Sequence, residues 1–428
     1  MEWAIGIATV LALIALGVPI AFAMTAIGMA GVAWIIGLQP MLSMLGQVFF
    51  DNGMSYTLSV MPLFVLMGNF VVQAGLADEL YAASNAWLRH RRGGLAMATV
   101  VACGGFSSVC GSSLATAATM ARVAMGPMRR FGYSDQLAAG SIAAGGTLGI
   151  LIPPSIVLVL YGILTRQDIG KLFLAGILPG IVGIIGYMIA VRLSMWWTGE
   201  QSGTLPKLPL SDRMRALKGV VGVLALFSLV MGGIYLGVFT ATEAAGIGAG
   251  GAFLLTLARR RLGWAGLWTI LVDTAKMTSL MFFVLFGAIM FSNFVNLAGL
   301  PNDLREMILA IGTRPELVLL AILAIYLLLG AVLESLSMML LTVPIFYPVV
   351  AALGIDLIWF GIFVVVAIEI SLITPPVGLN VFVLKTIIRD IDTHTIFKGV
   401  IPFVLMDIVR ILLLMAVPML ALIIPNSM

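Results

Sequence analysis

An all-α polytopic membrane protein, built from two inverted structural repeats that each carry a re-entrant hairpin and a broken helix, is the fold class the sequence predicts. Three observations predict it. Of 428 residues, 61% are hydrophobic and 10% charged, against roughly 45–50% and 25% in a soluble domain. The apolar residues form long continuous runs and do not alternate with period two, which excludes a β-barrel. The two halves of the chain also match each other, in order, at an offset of 220 to 224 residues.

At about 20 apolar residues per crossing the chain has room for ten or so spans plus partial ones. The apolar runs fall at 3–17, 22–38, 55–75, 94–128, 134–163, 172–192, 219–239, 241–258, 266–297, 316–352, 356–388 and 399–424. The first lacks a positive leading region and reads as a span, not a cleaved signal. Residues 78–92 predict an amphipathic helix lying along the membrane interface. The stretch 193–218 is the one long polar segment; Trp196 and Trp197 suit an interface, and it joins the two halves.

Four runs are more than simple crossings. Runs 94–128 and 316–352 carry small, hydroxyl-bearing centres, CGSS at 110–113 and ESLS at 334–337, and each predicts a hairpin that leaves by the side it entered. Runs 134–163 and 356–388 contain Pro153-Pro154 and Pro375-Pro376. Adjacent prolines remove two donors and clash with the preceding turn, so each helix must break. Freed carbonyls at membrane depth are tolerated only where they line a cavity or hold an ion.

Net charge is +4, but the basic residues lie in short loops between spans, so no nucleic acid is implied. With 94–128 as a hairpin, sixteen Lys and Arg fall on one side and four on the other, leaving Arg122, Lys276 and Arg410 inside apolar runs. The positive-inside rule then puts the first hairpin on the cytoplasmic side, the second outside, and both termini in the periplasm. Cys103 and Cys110 lie about 10 Å apart on a helix, too far to bridge. Both histidines, His90 and His394, sit in charged loops, so neither a transition-metal site nor a His-based catalytic set is expected.

The repeat is read from several matches. LGVPIAFAMTAIG (16–28) lies over LGVFTATEAAGIG (236–248); at offset 222, Ser113 falls on Ser335, Gly132 on Gly354 and the first proline pair on the second. Inverted repeats whose broken helices meet at the midplane are the signature of secondary transporters. On that reading, Gly- and Ser-rich hairpin tips aim backbone groups and hydroxyls at an anionic solute and its coupling cations, where packing alone would also account for small residues. Thr147, Ser155, Thr374 and Asn380 stand beside the freed carbonyls and supply the oxygen ligands a hard cation such as Na⁺ takes.

Intramembrane ionisable residues are costly and default to function. Asp407 and Arg410 predict a mutual helix pair, and Lys276 a pair with Glu243 or Asp273. Glu334 and Glu369 are candidates for cation binding, although Glu369 suits helix ends equally. Arg122 is a candidate contact for a substrate carboxylate, with snorkelling as the alternative. A membrane-embedded enzyme would need catalytic or metal residues at the midplane, and few are present. No nucleotide-binding motif occurs.

The segments GGFSSVCGSSLATAATM, MRRFGYSDQLAAGSIAAGGTLGILIPPSIVLVLYG, TATEAAGIGA and ISLITPPVGLNVFVLK, in this order, resemble the large membrane subunit of TRAP (tripartite ATP-independent periplasmic) transporters, the DctM-like permease family. The resemblance spans essentially the whole chain. It implies a Na⁺-coupled importer of a small organic acid in the bacterial inner membrane, working by an elevator motion without other cofactors. It implies two partners besides the bilayer: a small four-helix membrane subunit and a periplasmic substrate-binding protein. By position it places one cation near Ser112, Ser113, Gly145, Thr147 and Gly149, and a second near Ser335, Thr374, Gly378 and Asn380. Substrate would lie between the tips, near Ser112, Ser113, Ser335, Ser337 and Arg122. The chain carries Thr116 where the family pattern has an acidic residue. Residues 1–93 and 193–297 would form a scaffold, 94–192 and 298–428 the mobile elements. The alternative is a stand-alone Na⁺-coupled anion symporter of the same architecture.

Overall fold

The computed structural model describes residues 2–200, 205–300, 303, 314–330, 333–375 and 378–427, and among these every regular element is helical. The first half comprises α1 (Glu2–Ala15), α2 (Ile20–Ile36), α3 (Leu38–Gly53), α4 (Val60–Gln73), α5 (Leu76–Leu88), α6 (Gly94–Cys110), α7 (Ser113–Arg130), α8 (Asp135–Thr147), α9 (Ile156–Thr165) and α10 (Ile169–Thr198). The second comprises α11 (Leu210–Tyr235), α12 (Ala241–Ala258), α13 (Trp264–Leu297), α14 (Pro315–Leu329), α15 (Ser335–Ala352), α16 (Leu357–Ile373), α17 (Leu379–Ile387), α18 (Thr393–Ala416) and the short α19 (Met419–Leu422).

Shifted by 222 residues, these elements overlay. The α7 range moves onto 335–352, the bounds of α15; α2 falls on α12, α6 on α14, α9 on α17, and α10 on α18 with α19. The equivalent pairs run in opposite directions. Asn69 Nδ2 donates to Thr274 Oγ1 at 2.9 Å while Gln73 Nε2 reaches the carbonyl of Arg261 at 3.0 Å, so α4 and its counterpart α13 are antiparallel. Gly183 faces Arg410 and Gly186 faces Met406, which makes α10 and α18 antiparallel too. The repeats are inverted, as the charge distribution predicts.

Both hairpins close on themselves. Thr99 of α6 contacts Met128 of α7, and the Tyr133 hydroxyl accepts the amide of Leu95 at 3.2 Å. In the second, the hydroxyls of Tyr326 and Thr342 meet. Gly111 makes the first turn in the left-handed region (φ +66°), where a side chain would be strained. Both helix breaks are present. A single 3₁₀ turn follows α8, the chain bends through Ile152, Pro153 and Pro154, and Ser155 restarts it by capping α9. The second break runs from Thr374 to Gly378; Pro376 lies outside the described residues.

The structure departs from the sequence expectations in four places. Residues 38–53, too polar to stand out as a run, form α3, and with the 57–73 segment they make a helix pair bent by 61°. Among the described residues six single helices, or seven spans with that pair, are long and apolar enough to cross a bilayer. Of the shorter apolar helices, α6 and α14 are hairpin limbs and α9 and α16 are parts of broken helices, each covering only part of a crossing, while α1 and α2 are short without belonging to either. Much of the 193–218 segment is helical, as α10 continues to Thr198 and α11 begins at Leu210. The amphipathic helix expected at 78–92 ends at Leu88, and it packs its apolar side on α6 and α11.

A close helix crossing joins the repeats. A Cβ on Gly399 of α18 would lie 2.0 Å from the carbonyl oxygen of Gln136 in α8, and one on Gly140 would lie 2.3 Å from that of Gly399. Small residues let backbones approach this closely. Gly399→Ala forces α8 and α18 apart, and it is expected to cost at least the 1–3 kcal/mol typical of overpacking, read as a lower unfolding midpoint in detergent.

Candidate functional site

The two hairpin tips meet. Gly111, Ser112 and Ser113 of the first, and Glu334, Ser335 and Leu336 of the second, line one cavity of about 40 Å³, closed by Ile150, Ile156 and Val157 of the first break and by Met277 and Met281 of α13. The Ser112–Ser113 tip is repeat-equivalent at offset 222 to Glu334–Ser335. It has room for a few water molecules, far below the roughly 300 Å³ at which ligand pockets begin. A small organic acid fits only if the tips part.

The first predicted cation group is partly assembled there. Ser112 caps α7: its hydroxyl accepts the Ala115 amide at 3.4 Å and its carbonyl accepts the Thr116 hydroxyl at 2.8 Å. Ser113 is buried at 1% exposure, and its hydroxyl has no hydrogen-bond partner among the described residues. Gly149 lies directly under this turn, for a Cβ there would stand 2.6 Å from the Ser112 carbonyl oxygen. Gly145 packs instead under Cys103 of α6. Thr147 is turned away, donating to the Ala144 carbonyl at 2.7 Å and lying 3.0 Å from the Tyr187 hydroxyl.

The second group is more dispersed. Ser335 lines the cavity, while Ser337 donates to Glu334 Oε1 at 3.4 Å. The Thr374 hydroxyl turns back onto the Ile370 carbonyl. Gly378 takes a left-handed conformation at the start of α17 (φ +58°). Asn380 is fully buried; its Nδ2 donates to the Ala143 carbonyl of α8 at 3.1 Å, and its Oδ1 has no partner among the described residues. The second half's broken helix therefore leans on the first half's. Arg122 is exposed on α7 and does not line the cavity.

Beneath the first group lies a charge network wider than the pair the sequence predicts. Glu369, Asp407 and Arg410 are 0%, 1% and 3% exposed. The Arg410 guanidinium bridges Glu369, by its nearer oxygen, and Asp407 at 2.8 Å. Tyr187 donates to Asp407 Oδ2 at 2.6 Å, and through Tyr187 the chain of contacts reaches Thr147. Four helices, α8, α10, α16 and α18, supply these groups, two from each half. Thr147 and Glu369 are also repeat-equivalent at offset 222. Glu369 is accordingly engaged in an ion pair rather than standing beside the cavity. Sequence reasoning missed Tyr187; the signal was one phenol within an otherwise apolar span.

The proposed partners of Lys276 need correction. Lys276 is exposed and in no ion pair among the described residues. Glu243 instead completes a capping box with Thr240, because the free amides at a helix start outcompete a distant ammonium.

At the basic end, Arg129 at the foot of α7 forms a fork with Asp135, Nε to Oδ1 at 2.7 Å and Nη2 to Oδ2 at 2.9 Å, and its third nitrogen meets Asp390 at 2.7 Å. The first hairpin is thus tied to the loop after α17. Arg129 holds the Asp390 carboxyl below its usual value. Its contribution to stability is therefore present above the unfolded carboxyl value of about 3.9 and is lost as pH falls through the lower folded one. Asp390→Asn is expected to lower the unfolding midpoint slightly at pH 7, and the gap to wild type should close in acid.

The whole arrangement can be set beside known proteins. Residues 7–420 match the family model described as tripartite ATP-independent periplasmic transporter, DctM component. The chain is 34% identical over 402 residues to the C4-dicarboxylate TRAP transporter large permease protein DctM of Pseudomonas aeruginosa, covering 94% of this chain and 93% of that one. It is 33% identical over 384 residues to the sialic acid TRAP transporter large permease protein SiaM of Vibrio cholerae, covering 90% and 88%. The solved structure of the Alcanivorax borkumensis YdaH transporter superposes with a TM-score of 0.62 over 89% of this chain and 88% of that one, at 16% identity, which is a likeness of fold. Twin tips, twin breaks, inverted halves and sequence agree: the chain belongs to the DctM family of large permease subunits of TRAP transporters.

Proposed function

We propose that the chain is the permease subunit of a Na⁺-coupled importer that carries a small organic acid across the bacterial inner membrane by an elevator motion. A periplasmic binding protein delivers the solute, and a separate small four-helix membrane subunit widens the scaffold. The observation that carries this reading is the cavity shared by two repeat-equivalent hairpin tips, with the Ser113 hydroxyl on its wall and the amide oxygen of Asn380 in the second break both buried and unpartnered among the described residues. Oxygen atoms without hydrogen-bond partners in a buried site are ready ligands for a hard cation. The Arg129–Asp390 contact and the Asn380–Ala143 hydrogen bond supply the linkage by which elements 94–192 and 298–428 would move together. The Asn69–Thr274 and Thr256–Phe70 hydrogen bonds do the same for the scaffold. Relatives named for a C4-dicarboxylate and for sialic acid support an organic acid as the solute class.

The test is uptake into proteoliposomes carrying the chain, its small membrane partner and the cognate binding protein. Accumulation is expected with an inward Na⁺ gradient and not when K⁺ replaces Na⁺. Uptake by this chain alone, unchanged without Na⁺, would overturn the proposal.

A further inference from the structure

The arginine-rich end of the molecule carries a second pocket, remote from the tips. Its volume is about 440 Å³, and its walls are Arg91 and Arg92 from the turn before α6, Arg192, Met195 and Trp196 from the end of α10, and Glu200 just beyond. None of the three arginines is in an ion pair among the described residues. The single acid on the wall is already engaged, because the Glu200 carboxylate accepts the Ser134 amide at 2.8 Å and the Ser134 hydroxyl at 2.7 Å. The surrounding field is net positive, three arginines against the one Glu200 carboxylate: His90, in the same turn, is held below its ordinary value by desolvation and then by Arg213, Lys207 and Arg91. Buried Arg213 lies 5.6 Å over the Trp87 ring with its Nε unpartnered.

The shape of the site distinguishes a lipid from a soluble anion. Trp196 at the rim is 76% exposed, and tryptophan marks headgroup depth. From the pocket an apolar stripe runs down one face of α10 at helical spacing through Leu193, Ile189 and Ile185, which are 38%, 45% and 53% exposed. A cluster of guanidiniums above an apolar track matches a phosphate above two acyl chains, and basic pockets between membrane helices recognise anionic headgroups. Guanidinium is the group best suited to a phosphate, which it engages through two parallel hydrogen bonds.

We propose that this pocket binds the phosphate headgroup of an anionic phospholipid, with its acyl chains along the Ile185–Ile189–Leu193 face of α10. The site is independent of the transport reading and is tested by binding alone. Purified protein is equilibrated in detergent with phosphatidylglycerol or phosphatidylcholine, and retained lipid is counted by native mass spectrometry. Each basic residue near an anionic headgroup is worth on the order of fivefold in affinity. Phosphatidylglycerol is therefore expected to be retained over phosphatidylcholine, and the triple variant Arg91→Gln, Arg92→Gln, Arg192→Gln to weaken it on the order of 100-fold. A charge-matched control, Lys171→Gln, Arg260→Gln, Arg314→Gln, should retain the lipid. Equal retention of the two lipids, retention by the first variant, or equal loss in both variants would overturn the assignment. So would thermal protection by sodium phosphate alone that matches protection by phosphatidylglycerol, since the site would then belong to a soluble anion.

Discussion

Replacing Arg410 with methionine is expected to destabilise the protein by about 3–5 kcal/mol, the range measured when one partner of a buried ion pair is removed. The geometry leaves no substitute cation. Glu369 and Asp407 are both buried, both contact the same guanidinium, and the only other polar side chain bonded to the carboxylates is the Tyr187 phenol, among the described residues. Without Arg410, two carboxylates on neighbouring helices face each other in a medium that solvates neither. Gly183 gives the site its room: a Cβ there would lie 2.3 Å from an Arg410 nitrogen, so a larger residue at 183 should act in the same direction. The measurement is the unfolding midpoint in detergent, together with the fraction that survives size-exclusion chromatography. The double variant Arg410→Met, Glu369→Gln removes one orphaned charge and should recover part of the loss. An Arg410→Met protein as stable as wild type would show that the network does not join the halves.

Gly149→Ala is expected to abolish most transport while leaving the fold largely intact. The added methyl would meet only backbone, the Ser112 carbonyl oxygen at 2.6 Å, its carbon at 2.8 Å and the Ser113 amide at 2.9 Å. No flexible side chain can yield, so the first tip must shift. At a site whose groups act together, a displacement of about 1 Å costs on the order of 100-fold, and uptake should fall by about that factor. The fold should lose no more than the ~1–3 kcal/mol of overpacking. Gly126→Ala, on the same hairpin but with open space around it, serves as control and should leave uptake unchanged. Full uptake by Gly149→Ala would separate the tip from the transport site.

The two predictions touch features that were legible to different degrees. Repeat-equivalent serines and paired prolines fixed the positions of both tips and both breaks to within a residue or two, because hairpin turns and broken helices need those residue types locally. The sequence did not show that the Thr147 hydroxyl donates to the Ala144 carbonyl and meets Tyr187. It misled for Lys276, where proximity in sequence to Asp273 produced no ion pair among the described residues. The helix pair bent at residues 54–56 was obscured because α3 carries too many polar residues to register as an apolar run.

What the chain determines by itself is therefore what depends on composition and local backbone chemistry: that it lies in a bilayer, that it was duplicated and inverted, and where its helices turn and break. Only the folded molecule decides which polar groups meet. Tyr187, Asp407, Arg410 and Glu369 lie as many as 223 residues apart in sequence, and the Ser112 and Ser335 tips come from different halves. A buried polar atom takes whichever partner the packing brings within about 3 Å, and helix packing at that precision follows from the fit of whole surfaces, such as the Gly140–Gly399 crossing, which no short motif encodes.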